Sequence, residues 1–193
     1  LDFSVSKALN RIGFQVKDAV TKELPRYFDR PTTYLGKGLQ VKKSDKKRLI
    51  TQVGFRSPKF GRGQGSVFQS DIVRLSIKGG VRRPKGTAIP VPFTSNIKTN
   101  KHGNLARGKV KSLLSKPDKY FSGTPSGFKD SQGIWQRYGS KKNPKIKMVV
   151  GWEPTTTYKP GRFPFERIGT KTIKKNFNRE LEKALKEALK TAR

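Results

Sequence analysis

Residues 173–189, IKKNFNRELEKALKEAL, decide the fold class. Ile173, Phe177, Leu181, Ala184, Leu185, Ala188 and Leu189 recur at three- and four-residue steps, which gives a helix one apolar stripe and one charged side. Glu182 precedes Lys186 by one turn, the favourable order for an ion pair. The opposite end of the chain repeats the pattern. Val5, Leu9, Ile12, Val16, Ala19 and Val20 predict a first helix, with Ser4 or Ser6 as its N-cap. Pro25, which has no amide donor and restricts Leu24, is expected to limit it.

Between these helices the period changes to two. After an expected turn through residues 27–34, Leu39 and Val41, then Leu49, Thr51, Val53 and Phe55, alternate with Lys, Gln and Arg. That predicts a half-buried strand pair with a basic tip at Lys42, Lys43, Lys46, Lys47 and Arg48. Residues 56–66, rich in Gly, Lys, Arg and Ser, read as a mobile loop. Residues 67–77 fit helix or strand, and Gly79 and Gly80 close them. Arg82, Arg83, Pro84 and Lys85 form a second basic loop. Ile89-Pro90-Val91-Pro92 must be extended, and its missing donors make it a sheet edge or an arm. A turn at 100–104 leads to a short helix over 107–115, and Tyr120 and Phe121 open a strand or turn. Residues 134–138 and 146–152 then predict two strands joined by a basic turn that holds Lys141 and Lys142. The expectation is one α+β domain over 1–193. In it a small antiparallel sheet packs against long N- and C-terminal amphipathic helices, with extended basic loops and mobile or arm-like segments near 56–66 and 80–104.

The chain carries 44 Lys and Arg against 13 Asp and Glu, a formal net charge of +31 over 193 residues. A surplus of that size repels itself in a compact body and calls for an anionic counterpart: nucleic acid, an acidic membrane surface, or acidic faces of neighbouring subunits. Aromatic residues make up 10%, including Trp135 and Trp152, so the chain is not a disordered polycation. Hydrophobic content of 32% with 19 Gly and 12 Pro predicts a modest core inside long loops. The absence of cysteine excludes disulfides and thiolate metal sites. No apolar run approaches the roughly 20 residues that span a bilayer. The opening LDFSVS is not a charged-then-apolar signal segment, and its start on Leu rather than Met implies a few preceding residues.

The search for reactive groups assigns no catalytic, cofactor-binding or metal-binding residue. His102 is the single histidine and lies in a turn of Lys, Gly and Asn, where it reads as a surface residue. No His, Asp and Glu group has metal-ligand spacing. Glu180, Glu182 and Glu187 read as the solvent face of the last helix. Residues 60–65, FGRGQG, lack the Gly-Lys-Ser/Thr ending of a phosphate-cradling loop. The basic turns remain as candidate DNA- or partner-facing positions: Lys42, Lys43, Lys46, Lys47, Arg48, Arg82, Arg83, Lys85, Lys141 and Lys142. Cations in such turns bind nucleic acid by neutralising phosphates and releasing counterions. Nearby aromatics suit base stacking, but Phe55, Trp135 and Phe177 sit at core spacing. No zinc finger, RNA-recognition aromatic motif or helix-turn-helix is present, so sequence-specific readout is not expected.

One series of segments runs along nearly the whole chain. Ala8-Leu9-Asn10-Arg11, Val16-Lys17-Asp18-Ala19 and Phe28-Asp29-Arg30-Pro31-Thr32 come first. Ile89-Pro90-Val91-Pro92, Gly103-Asn104-Leu105-Ala106-Arg107-Gly108 and Gly133-Ile134-Trp135-Gln136-Arg137 follow. Tyr158 and Phe163-Pro164-Phe165 precede the final helix. In order and spacing the series resembles tailed-phage minor tail proteins of the protein Z and tail-completion kind. The resemblance implies a virion structural protein with no active site and no cofactor, assembled in the host cytoplasm. It implies a ring of copies at the head-proximal end of the tail, closed by rotational symmetry around the DNA channel. The partners it implies are further copies of the chain, tail-tube, neck or portal-adaptor proteins, and phage DNA held by non-specific phosphate contacts, with no membrane. The alternative is a free nucleic-acid-binding protein of ribosomal or packaging type. A small hydrolase or nuclease comes third, because nothing supplies metal carboxylates.

Overall fold

A computed structural model describes residues 2–58, 68–84 and 86–191. In chain order the elements are α1 (Asp2–Tyr27), α2 (Thr33–Lys37), β1 (Leu39–Lys42), β2 (Gln52–Phe55), α3 (Gln69–Lys78), β3 (Gly80–Arg82), β4 (Ile89–Pro92), α4 (Lys109–Leu114), β5 (Tyr120–Gly123), β6 (Gly133–Ser140), β7 (Asn143–Glu153), β8 (Thr156–Tyr158) and α5 (Phe165–Thr191). The fold is α+β, with small antiparallel sheets and long helices at both ends. Where one domain was expected, the chain forms two compact units. Leu1–Gly80 and Tyr158–Arg193 make the first, and Val81–Thr157 is inserted into it as the second. β3 and β8, where the chain leaves and re-enters the first unit, are hydrogen-bonded neighbours.

In the first unit α1 buries Ala8, Ile12, Val16, Val20 and Leu24, a strict four-residue series. Pro25 does not stop the helix, which continues to Tyr27. Pro25 is exposed, so the Thr21 carbonyl deprived of a donor there meets water rather than an apolar core. Phe28 N–H then closes the end on the Leu24 carbonyl at 3.0 Å. Ser4 and Ser6 are not caps, because both lie inside the helix and are buried.

α5 packs against α1 in the opposite direction. Lys7 and Arg11 meet Glu187, Gln15 meets Glu180, and Gly169 faces Val16. The contact line therefore runs through Gly169, Glu180, Ala184 and Glu187; of the expected stripe Ala184 is buried and Phe177, Leu181, Leu185 and Ala188 are half-buried. Ile173 and Leu189 from that stripe are 44% and 76% exposed. Phe177 is half-buried against the core.

β1 and β2 pair antiparallel with Leu39 opposite Phe55 and Val41 opposite Val53. Gly13 lets this ladder approach α1: a Cβ there would lie 2.5 Å from Thr51 Cγ2 and 3.0 Å from Val41 Cγ1. Leu49 and Ile50 fall outside the strands and are exposed. The ambiguity over 67–77 resolves as helix α3, with Gln69, Val73 and Ser76 buried at helical spacing and Gly79 ending it at φ +73°. Phe163 is the centre of the core. It is fully buried, with ring centroids of Tyr27, Phe28, Phe55 and Phe165 at 5.5, 5.3, 6.3 and 6.2 Å. Its amide donates to the Ser76 carbonyl at 2.8 Å and the Gly161 amide to that of Ile77 at 2.9 Å, which stitches the returning chain to the end of α3. Of the loop at 56–66, residues 59–66 lie outside the described residues, as does the glycine-rich stretch 60–65.

The second unit is a four-stranded antiparallel sheet in the order β4-β7-β6-β5. Ile89–Pro92 is the edge strand its prolines demanded, paired to β7. Leu113 of α4 joins Ile134, Val149 and Val150 in the core. β6 and β7 form the expected hairpin, and its register steps between Ile134 and Trp135, which face Val150 and Met148. That bulge increases the twist of the ribbon beyond it.

Candidate polyanion and partner interfaces

The loop at the first hairpin tip is strapped onto α1. Ser6 and Asn10 stand one helical turn apart on the same face. Asn10 Oδ1 accepts from the Ser44 amide at 2.8 Å and from Thr51 Oγ1 at 2.9 Å, while Asn10 Nδ2 donates to the Ser44 carbonyl at 3.1 Å. Ser6 Oγ donates to the same carbonyl at 3.1 Å, and Ser44 is buried. Asp45 turns the loop by accepting from the amides of Lys47 at 2.8 Å and Arg48 at 2.7 Å.

The strap sets the lysines against aromatic rings of α1. Lys43 Nζ lies 5.4 Å from the Phe14 centroid and Lys46 Nζ 5.6 Å from that of Phe3, within cation–π range. A groove of about 480 Å³ runs between loop and helix, with Phe3, Lys7, Arg11, Phe14, Lys43 and Lys46 among its walls. Lys42, Lys47 and Arg48 are exposed beside it. The structure thus brings Lys42, Lys43, Lys46, Lys47 and Arg48 into one basic region with aromatic faces.

Two of the glutamates expected on the solvent face of α5 instead turn toward α1. Glu187 Oε2 is 2.6 Å from Lys7 Nζ and its Oε1 is 2.9 Å from Arg11 Nη2. Hydrogen bonds from Lys7, then Arg11, hold its carboxyl below the usual carboxylate range. Glu180 is 5% exposed and accepts from Gln15 Nε2 at 3.0 Å. Glu182 is exposed, as expected.

In the second unit the outer half of the β6–β7 hairpin projects from its core. From Arg137 through Lys145 every residue is exposed, and Ile146 and Lys147 are half-buried. Lys141 and Lys142 form its tip between the paired residues Ser140 and Asn143. The base is braced. Trp135 is 3% exposed, donates Nε1–H to the Gly123 carbonyl at 3.0 Å and contacts the Phe128 ring at 4.7 Å. Arg137 donates to the Pro117 carbonyl at 2.8 Å and lies 4.3 Å over the Phe121 ring. Arg82 and Arg83 are exposed at and just beyond the end of β3, and Lys85 lies outside the described residues.

One cationic feature is absent from the sequence-based expectations. Arg167, Lys171, Lys175, Arg179 and Lys183 recur every four residues along α5, all exposed. The four-residue spacing of the cations is its signal. His102 sits in the expected turn, where its amide and that of Asn104 donate to Asn100 Oδ1 at 2.9 and 3.0 Å. Among the described residues no group of three or more His, Cys, Asp or Glu is placed to hold a metal ion, and no helix is long and apolar enough to cross a membrane. Comparison with protein-family models, with curated proteins and with solved structures gives no match.

Proposed function

We propose that the protein is a structural component of a tailed-phage virion, a minor tail or tail-completion protein. Copies form a ring at the head-proximal end of the tail around the DNA channel. The observation that carries this reading is where the charge stands. Cations are displayed on hairpin tips and along a helix face, held out by framework contacts, as suits a large polyanionic or acidic surface. Exposed apolar residues, among them Leu49, Ile50, Ile173 and Leu189, suit contacts between subunits. The resemblance of its segment order to tail-completion proteins gives the reading its particular form. The partners are further copies of the chain, neighbouring neck or tail proteins, and DNA.

The test is assembly. The purified protein should elute as a closed oligomer or co-purify with particles. Replacement of Lys42, Lys43, Lys46 and Lys47 by Glu should leave tails unjoined. A persistent monomer, together with fully infectious particles carrying that variant, refutes the proposal. The second reading, a free non-specific nucleic-acid binder, is favoured by the lysines of the β6–β7 ribbon. It predicts a monomer whose affinity falls steeply with salt.

A further inference from the structure

We infer that the β6–β7 ribbon is a duplex-binding element that enters the major groove of DNA. The ring proposed above forms equally well with this ribbon turned toward a protein, so the assignment goes beyond that reading.

Three observations choose the ligand. The first is charge. Residues 131–152 contain Arg137, Lys141, Lys142, Lys145 and Lys147 and no Asp or Glu. Arg137 is committed to the base through Pro117 and Phe121, which leaves Lys141, Lys142 and Lys145 along the projecting part and half-buried Lys147 at its foot. The second is shape. Beyond Arg137 the ribbon extends to Ser140 on one strand, about 10 Å at ~3.4 Å per residue, with strands ~4.8 Å apart. The major groove, ~12 Å wide and ~8.5 Å deep, admits a two-stranded ribbon, whereas the minor groove at ~6 Å does not. The bulge at Ile134 and Trp135 and the bracing of Trp135 fix the twist and direction of the ribbon.

The third observation is composition. Lysine is depleted at protein–protein interfaces, whose anchors are aromatic residues and arginine. The planar arginine fork suits carboxylate and phosphate alike, and lysine is a common partner of phosphate as a point charge. The projecting ribbon presents lysines, and its one exposed ring is Tyr138. Lys147 Nζ lies 5.5 Å from that ring centroid, so this face is not open for stacking an unpaired base. Tyr138, Lys145 and Lys147 share one ribbon face, because Tyr138 pairs with Lys145 and Gln136 with Lys147. Lys145 and Lys147 are therefore ~6.8 Å apart along the strand, two cations in a row beside the groove wall. Duplex nucleic acid fits these features better than an acidic protein or a single strand.

Fluorescence anisotropy of the full chain with a short labelled duplex tests the assignment. Lys141→Ser, Lys142→Ser, Lys145→Ser and Lys147→Ser together should lower affinity about tenfold or more. They should also reduce the slope of log K against log salt by about 3.6, at ~0.9 for each phosphate that is no longer neutralised. A control with the same charge change, Lys171→Ser, Lys174→Ser, Lys175→Ser and Lys183→Ser on α5, should lose less. Circular dichroism checks that both variants keep their fold, and Lys→Arg at the four ribbon positions should restore binding. Guanine N7 should be protected from methylation by the wild type and exposed with the ribbon variant. Equal losses from both quadruple variants overturn the inference, as does an unprotected N7 in a bound duplex. Equal affinity for poly-glutamate or for a single strand overturns the choice of ligand. None of these results changes the elution volume that tests ring formation.

Discussion

The two basic hairpins of this protein have similar sequences at their tips and opposite local structures. In the first, Ser44 is buried, Asn10 and Ser6 fasten the loop to α1, and Lys43 and Lys46 lie over Phe14 and Phe3. In the second, Lys141 and Lys142 stand at the end of a ribbon whose described fastenings are at its base, in Trp135 and Arg137. Positive charge in the first loop is partly engaged by aromatic rings of its own unit; at the tip of the second, Lys141 and Lys142 are offered outward, and the ring contacts of Arg137 and Lys147 lie nearer its base. A run of lysines in a turn therefore does not reveal how available it is, and the polar or aromatic residues that receive it on a neighbouring element decide.

The comparison breaks most severely at the base of the second hairpin. Trp135→Ala removes the buried ring and its hydrogen bond and should cost about 3–5 kcal/mol. Denaturant unfolding with a near-ultraviolet circular dichroism probe would register it, and an unchanged midpoint would mean that the ribbon is supported elsewhere. Next comes the strap of the first hairpin. Asn10→Ala leaves the buried Ser44 amide without its acceptor, a cost of about 1–3 kcal/mol, and should free the loop to faster amide exchange at 44–48.

The helix pair behind that strap supplies a smaller, pH-dependent effect. Glu187 has its carboxyl lowered by Lys7 and Arg11, so its stabilisation is present above the ordinary carboxylate range and disappears as pH falls through the lowered value. Tm measured against pH for wild type and Glu187→Gln should differ at neutral pH and converge in acid. A constant difference would contradict the pairing. The smallest effect belongs to the ribbon tip. Lys141→Ser with Lys142→Ser should change stability by less than about 0.5 kcal/mol, and a larger loss in thermal melts would show that the tip is also fastened.

Much of this was legible from spacing. Ile12, Val16 and Val20 of α1, the alternation at Leu39, Val41, Val53 and Phe55, and the strands on either side of Lys141 and Lys142 each follow from a single period, whereas Ala8 and Leu24 are buried in place of the expected Val5, Leu9 and Ala19, which are half-buried. What spacing missed depends on partners far away in sequence. Ser6 resembles a cap until residue 44 is seen against it. Glu180 and Glu187 look solvent-facing when the last helix is read alone, because counting apolar residues rotates the buried face toward Ile173 and Leu189. The line that meets α1 keeps Ala184 of that stripe and adds Gly169, Glu180 and Glu187, which the α1 side chains Val16, Gln15, Lys7 and Arg11 receive. Pro25 misled because its exposed position lets the missing hydrogen bond be tolerated. For the site, the basic turns were legible as basic, and what receives their charge was not.

The pairing of α1 with α5 also bears on events at the ribosome. The helix that emerges early has its partner more than a hundred residues downstream, whereas all strands of the inserted sheet are available before that partner is made. Synthesis at about 5–20 residues per second leaves the side of α1 that receives α5, with Lys7, Arg11 and Gln15, without its partner for roughly 7–30 seconds while the insert matures. The nascent chain is most exposed to mispairing and chaperone capture in that interval.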